Sequence, residues 1–392
     1  MQRASDASLY SGKKLAIIGA SYLQLPLIRR ARELGLETHV FAWQVGDVGE
    51  SEADFFYPIS ITEYEKIEVV CRAIGIDGIC SIASDLAAIT VNYVAGCLGL
   101  IGNTWSDTKK MTNKFAMRRA FAAGGDPSPK SYLVDEGADI DSFDLALPAI
   151  VKPTDRSGSR GVTYISSRSE IGPAIQDALS QSFERKAVLE EYVIGTEYSA
   201  ECICFAGRRQ VLAVTRKFTT GIPNFIETAH LEPSCLLPQN EALLRKTVLH
   251  ALATLGIDNG AAHAEVIMDA NNCPHIVEIG GRMGGDCIGS HLVQLTTGID
   301  YVRAVIDVSL GIDPAVDSTC TGNAAAVRFF FGEDDLRAFY EVQNDERVDI
   351  VEFELPSDSL FSKASVHDSS ERAGYFVMTA ARPEDLEAYL PC

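Results

Sequence analysis

The stretch HAEVIMDANNCPHIVEIGGRMGGD, from His263 to Asp286, constrains the fold of this chain more than any other. AEVIMD and HIVEIG carry β-branched and apolar residues at strand-like spacing, and DANNCP between them supplies the Asp, Asn and Pro of a turn, so a β-hairpin is expected. A loop of about four residues, centred on Ala270 to Cys273, gives the ladder Met268–His275, Ile267–Ile276, Val266–Val277 and Glu265–Glu278. The two glutamates then face each other. Like charges opposed on antiparallel strands destabilise the pair, so the arrangement makes sense mainly when something cationic sits between them. A hard divalent ion is the natural candidate.

The rest of the chain has the bulk to support such a site. Its 392 residues, 46% hydrophobic and 22% charged, suffice for two or three domains with cores of their own and argue against disorder. The opening MQRASDASLYSGKK is polar and LAIIGA is too short for a secretory or membrane-spanning segment, so a cytoplasmic protein without membrane association is expected. The 10 cysteines are scattered, mostly in apolar runs such as ICSIAS and ECICFA, and no CxxC pair occurs, which reads as buried reduced thiols. A net charge of −20 disfavours nucleic acid and anionic membranes as partners, although a locally basic pocket can still hold an anionic ligand.

KKLAIIGA, LPLIRRARELG and LETHVFAW read as strand, helix and strand, and IDGICSIAS followed by DLAAITVNYVAGCLG repeats the pattern. Residues 1–110 are therefore expected to form an open parallel-sheet α/β domain. The turn after its first strand is GASYLQ, which lacks the dinucleotide fingerprint. A helix over TNKFAMRRAFAAGG and a break at DPSPK come next. ALPAIVKPTDRSGSRGVTYISS then reads as strand, glycine-rich loop, strand, and RKAVLEEYVIGTEYSAECICFA as two strands around a glycine turn. This gives a small module over 111–195, a β-rich module over 196–318 ending in the helical TGIDYVRAVIDVSLG, and a mixed tail over 319–392.

The order of these parts resembles the ATP-grasp carboxylate–amine ligases, over roughly Lys13 to Leu310, with AEVIMD…VEIGGR similar to that family's paired metal-binding acids and following arginine. The resemblance implies an α/β and α+β fold: an N-terminal α/β domain, a central lid subdomain and a C-terminal β-rich subdomain that the tail completes. It implies ATP and Mg²⁺ as cofactors, with one or two ions and Mn²⁺ as a substitute, held by Glu265 and Glu278. Lys114 and Lys152 match the two phosphate-contacting lysines, point charges on long stems that suit a polyphosphate. Ser157-Gly158-Ser159-Arg160-Gly161 resembles the loop that closes over the triphosphate. Glu190, Glu191, Tyr192 and Val193 resemble the hinge that reads the adenine edge, and Glu197 falls at the ribose-binding carboxylate. One departure stands out: many members have Glu-x-Asn-x-Arg, whereas this chain has Glu278-Ile279-Gly280-Gly281-Arg282, so the amide ligand is missing at Gly280.

Enzymes of this family activate a carboxylate as an acylphosphate, which a nucleophile then attacks with loss of phosphate. In TRKFTTGIPNFIETAHLEPSCLLP, Glu227 and His230 stand three apart in a loop-like stretch and resemble the E-x-x-H segment of bacterial L-amino-acid (dipeptide) ligases. The carboxylate suits an ammonium and the imidazole a proton relay. Arg282 is placed to stabilise the acylphosphate and the tetrahedral charge that follows it. Asp85, at the end of a predicted strand, and Gly284 and Gly285 are candidate substrate contacts. Amide formation between a small carboxylate and an amine is the leading expectation. Chemistry through carboxyphosphate, with bicarbonate, and a nucleotide-binding protein without turnover are the alternatives. The resemblance also implies a homodimer.

Overall fold

The computed structural model of the chain describes residues 8–140, 143–314, 316–317, 322–356 and 369–391. The first residues of the polar opening segment and part of the expected tail lie outside them. Three sheets organise the described chain.

The first sheet holds β1 (Lys14–Ile18), β2 (Glu37–Phe41), β3 (Phe55–Tyr57) and β4 (Gly78–Cys80), all parallel in the order β3-β2-β1-β4. A parallel sheet is covered on both faces, so its central strand reads as an unbroken apolar run, and Leu15 to Ile18 are fully buried. Helices α1 (Leu25–Glu33), α2 (Val48–Glu52), α3 (Tyr64–Ile74) and α4 (Asp85–Leu98) connect and cover the strands. Three of these elements, α2, β3 and α3, have no counterpart in the expectation from sequence, because FFY is short and YEKIEVVCRAI is weakly apolar. The chain leaves β1 toward β2 and β3 and then returns to its other side, so the switch point lies at the carboxyl ends of β1 and β4. Helix α4 starts there, with the Ser84 hydroxyl accepting from the Ala87 amide at 3.2 Å, and its first residue is Asp85.

Helices α5 (Trp105–Thr112) and α6 (Lys114–Gly124) lead into the second, antiparallel sheet of β5 (Ser131–Val134), β6 (Ala149–Pro153), β7 (Thr163–Ile165) and β8 (Ala187–Glu191), ordered β5-β8-β6-β7. Helix α7 (Arg168–Gln181) covers one side of it through Ile171, Ile175 and Leu179.

The third sheet has eight antiparallel strands in the order β13-β12-β9-β10-β11-β14-β16-β15. They are β9 (Gly195–Phe205), β10 (Arg208–Thr219), β11 (Glu227–Glu232), β12 (Gly260–Asp269), β13 (Pro274–Gly280), β14 (Ala324–Phe329), β15 (Val348–Glu354) and β16 (Tyr375–Ala380). Helix α8 (Pro238–Leu255) packs on one face, against Tyr198, Ala200, Cys202, Ala262, Ala264 and Val266. The alternate residues Glu197, Ser199, Glu201, His263 and Glu265 share the opposite face, as the period of a strand requires. A π-helical turn over Ile288–Leu292, α9 (Val293–Thr297) and α10 (Tyr301–Ser309) follow the hairpin, and α11 (Glu333–Val342) and α12 (Pro383–Glu387) accompany the last strands. No helix among the described residues is long and apolar enough to cross a membrane.

Two local expectations need correction. Glu265 does pair with Glu278, but the three pairs nearer the turn are Val266–Ile276, Ile267–His275 and Met268–Pro274. The loop is one residue shorter than expected: Asn272 adopts φ +60° and its amide bonds the Asp269 carbonyl at 2.9 Å, while Asp269 and Cys273 continue the ladder. A β-bulge at Val277 then restores the register, without which Glu278 would face the opposite side. Glu227 and His230 belong to a strand, not a loop. Residues three apart in a regular strand face opposite ways, but here Thr219 pairs with Glu227 and Phe218 with Ala229, so Thr228 is bulged and both side chains turn to the same face. Of the cysteines among the described residues, Cys71, Cys80, Cys202 and Cys204 are buried as expected, whereas Cys97, Cys235 and Cys273 are exposed.

Candidate active site

The polar face of the eight-stranded sheet, the smaller antiparallel sheet and the turn after β13 line a cleft. Three lysines and six carboxylates line it. Lys114 opens α6, whose N-terminus the Asn113 side chain caps by accepting from the Ala116 amide at 3.0 Å. Its Nζ lies 2.8 Å from Glu278 Oε1 and donates to the Arg156 carbonyl at 2.5 Å. Lys152, on β6, places Nζ 2.8 Å from Glu190 Oε2. Arg118 contacts the same carboxylate, with Nη2 3.2 Å from Oε2.

Two cations thus share one buried carboxylate. Burial favours neutral Glu190, but Arg118 and Lys152 overcome it and hold its pKa below the usual carboxylate range. Burial, with Arg118 and Lys114 adding to it, moves Lys152 below the lysine range despite Glu190. Its ammonium therefore has only a partial counter-charge, a condition that a phosphate oxygen in the cleft would relieve.

The third lysine, Lys217 on β10, was not singled out from the sequence. Its Nζ stands 2.7 Å from Glu197 Oε1, 2.9 Å from Glu265 Oε1 and 3.6 Å from Glu227 Oε1. Burial opposes its charge, but the three carboxylates outweigh this and drive its pKa well above the ordinary lysine value. Glu197 is pushed up by burial and by Glu265 and Glu227, against the pull of Lys217. Among the described residues no three His, Cys, Asp or Glu side chains converge as a ready metal site. The opposed Glu265 and Glu278 fit one hard cation; Glu278 is now paired with Lys114, and Glu265 shares Lys217 with Glu197 and Glu227.

Gly280 has a steric reason. A Cβ there would meet Asp85 Oδ1 at 2.7 Å and Arg282 Nε at 3.3 Å, so the space of the missing amide is taken by an ion pair. Arg282 binds Asp85 through both oxygens, Nε to Oδ1 at 2.9 Å and Nη2 to Oδ2 at 3.1 Å, joining the N-terminal sheet to the cleft. Asp85 is thereby spent on holding the arginine. Gly284 has a structural duty too: its amide donates to Glu201 Oε2 at 3.0 Å, and a Cβ would collide with Glu201 and His263. Gly285 faces Ala83 and Leu23 of the switch-point loops.

Glu201, fully buried, bonds His263 Nδ1, and His263 Nε2 lies 3.6 Å from Glu265 Oε1. One hidden carboxylate thus braces both Glu265, through His263, and the turn that carries Arg282. The alternation of EYSAEC and HAEV places Glu201 and His263 on the site face, which was the available signal for them. Glu227 lines the cleft, while His230 is 1% exposed and does not. In the loop Ser157 to Gly161, Gly158, Ser159 and Gly161 all have φ between +58° and +69°, and the Ser159 hydroxyl donates to the Phe225 carbonyl at 3.1 Å. Glu191, Tyr192 and Val193 line the cleft beside it, whereas the Glu190 side chain is committed to Lys152 and Arg118.

Residues 145–290 match the model of the ATP-grasp domain. The chain superimposes on an L-amino acid ligase from Bacillus licheniformis with a TM-score of 0.81 at 22% identity, over 97% of this chain and 96% of that one. Residues 145–290 thus carry an ATP-grasp domain, and the chain as a whole shares the fold of that ligase. Among curated proteins it is 25% identical to carnosine synthase 1 of Mus musculus over 81% of its own length and 42% of that protein. It is also 25% identical to a D-alanine–D-alanine ligase of Polaromonas naphthalenivorans (strain CJ2), over 72% of this chain and 86% of the relative. The chain therefore spans less than half of the carnosine synthase.

Proposed function

We propose that this protein is an ADP-forming ligase that joins a small carboxylate, such as an amino acid, to an amine or a second amino acid. In this reading the carboxylate attacks the γ-phosphoryl group of ATP to give an acylphosphate and ADP. The amine then attacks the acyl carbon, and amide and phosphate are released. The observation that carries it is the cleft itself, where Glu265 and Glu278 oppose each other across a bulged hairpin with Lys114, Lys152 and Lys217 around them. The named ligase relatives support the same reaction class.

Glu265 and Glu278 would hold Mg²⁺ or Mn²⁺, which would supply charge neutralisation to the triphosphate. With a glycine at position 280, one ion is the natural occupancy. Lys114 and Lys152 would exchange their carboxylate partners for phosphate oxygens, and the Ser157 to Gly161 loop would add backbone amides from its left-handed turns. The strand-end segment Glu191 to Val193 would face the adenine, and Glu197 the ribose. Arg282, oriented by Asp85, would stabilise the acyl oxygen as charge develops there. Glu227 faces the acceptor side, and His230 lies behind it. The same reading divides the chain into an N-terminal domain over 1–110, a lid over 111–195, a catalytic subdomain over 196–318 and a completing segment over 319–392. The continuation of the large sheet from β11 into β14 supports that last assignment.

The test is ADP release measured with Mg-ATP across single amino acids and their pairs, with bicarbonate as a separate arm. Release that needs a pair, with a condensed product by mass, is the expected outcome. Release driven by bicarbonate alone, or none with any substrate, would overturn the amide reading. Lys152→Ala should weaken Mg-ATP by roughly ten- to a hundredfold, the worth of one charge-assisted contact.

A further inference from the structure

On the far side of Glu227 from the lysines lies a second charged group that the ATP chemistry leaves unused. Asp286 and the residue after it, Cys287, both adopt left-handed backbone conformations, with φ of +53° and +62°. Two consecutive non-glycine residues in that region cost free energy, and such strain persists where the surroundings impose a required geometry. It aims the Asp286 carboxylate at Arg372, whose Nη1 and Nη2 donate to its two oxygens at 2.8 and 2.6 Å. The Arg372 guanidinium also stacks 3.8 Å over the Phe329 ring, and its Nε donates to the Ser369 carbonyl at 2.9 Å. The Ser369 hydroxyl in turn donates to Glu227 Oε2 at 3.0 Å.

A chain of contacts thus runs from the cleft wall at Glu227, through Ser369, to Arg372 and Asp286. Beneath it sits His230. Its Nε2 is 3.8 Å from Asp286 Oδ2, beyond hydrogen-bond reach, and neither ring nitrogen has a hydrogen-bond partner among the described residues, although the side chain is 1% exposed. A buried imidazole with both nitrogens unpaired is costly. Tyr22, 54% exposed at the switch-point loop of the N-terminal sheet, lies within electrostatic reach of both Asp286 and Arg372.

We propose that Asp286 and Arg372 form the recognition pair for a zwitterionic acceptor, an amino acid with a free ammonium and a free carboxylate. This rests on the ligase reading and deepens it. The internal ion pair holds each group in place until the acceptor enters. The acceptor's carboxylate then takes the planar fork of Arg372, and its ammonium takes Asp286 and Glu227. One internal pair is exchanged for two intermolecular ones, and no charge is left alone. A simple amine would bind Asp286 while leaving Arg372 without its counter-charge, and an anion such as bicarbonate would do the converse. Both are selected against by the same pair.

The experiment uses the full-length protein with Mg²⁺ and a non-hydrolysable ATP analogue. Binding of each common L-amino acid, its α-amide and its N-acetyl form is measured by calorimetry. At least one free amino acid should bind at least tenfold more tightly than both of its derivatives. Arg372→Gln should bring the acid-to-amide ratio close to one, and Arg372→Lys, which keeps the charge but not the fork, should fall between. The analogue's own affinity reports that each variant is folded, and it tests the nucleotide half of the ligase reading separately. Equal binding of acid and amide, no binding by any of the amino acids, or an unchanged ratio in Arg372→Gln overturns the proposal.

Discussion

Replacing His263 by Gln should remove a block of stability that depends on pH. His263 is buried between Glu201 and Glu265. Burial alone would lower its pKa, but the Glu201 carboxylate, with help from Glu265, raises it from 6.5 to about 9. A folded-state value above the unfolded one means that the native protein binds the proton more tightly. The contribution is then complete below about pH 6.5 and is lost as pH rises to about 9. At about 1.36 kcal/mol per pH unit, that interval corresponds to stability of order 3 kcal/mol, or a melting shift of order 5 °C. Glu265 is ionised throughout this window. Burial would raise its pKa, but Lys217 and His263 hold it well below the usual carboxylate value. The measurement is a pair of melting series from pH 6 to pH 10 in chelator, one for wild type and one for His263→Gln. Their difference should be largest near pH 6 and close by pH 10, because the neutral glutamine carries no such proton. A difference that stays flat across the window would refute the charge assignment, and a difference that grows with pH would reverse its sign.

Glu278→Gln should melt lower than wild type in chelator, since it leaves Lys114 with only the Arg156 carbonyl, a loss of about 1–3 kcal/mol that partial exposure reduces. It should also gain little from Mg-ATP; a variant that keeps the full Mg-ATP shift would remove Glu278 from the proposed metal site. Gly280→Asn restores the side chain found in many ATP-grasp enzymes, yet turnover should fall at least tenfold, because the new Cβ occupies the space of the Asp85–Arg282 pair. Wild-type activity in that variant would show that the pair is dispensable.

How much of this was legible before folding varies by residue. The N-terminal strands could be read because a parallel strand buried on both faces must be continuously apolar, and LAII is. Glu265 opposite Glu278 was readable as well, yet for a partly wrong reason. The loop is one residue shorter than expected and the bulge at Val277 compensates, so two departures of opposite sign cancel at the glutamates. Glu227 and His230 carried the opposite difficulty, since their spacing fits a strand face only after Thr228 is bulged out. Bulges depend on how a strand is paired, and pairing is not encoded locally.

By itself the sequence determined what alternation and composition control: which strands are two-sided or one-sided, where the glycine-rich loop falls, and which carboxylates ride on the exposed face of a strand. The tertiary structure decided which charges meet. Lys217 is one basic residue among 34 along the chain, and only the β9–β10–β11–β12 order sets it among Glu197, Glu227 and Glu265. Asp85 and Arg282 are separated by 197 residues, as are many pairs that never touch, and their contact explains the glycine at position 280. Hydrophobic periodicity is a local property of neighbouring residues, whereas an ion pair in a cleft depends on distances that exist only once the sheets have packed.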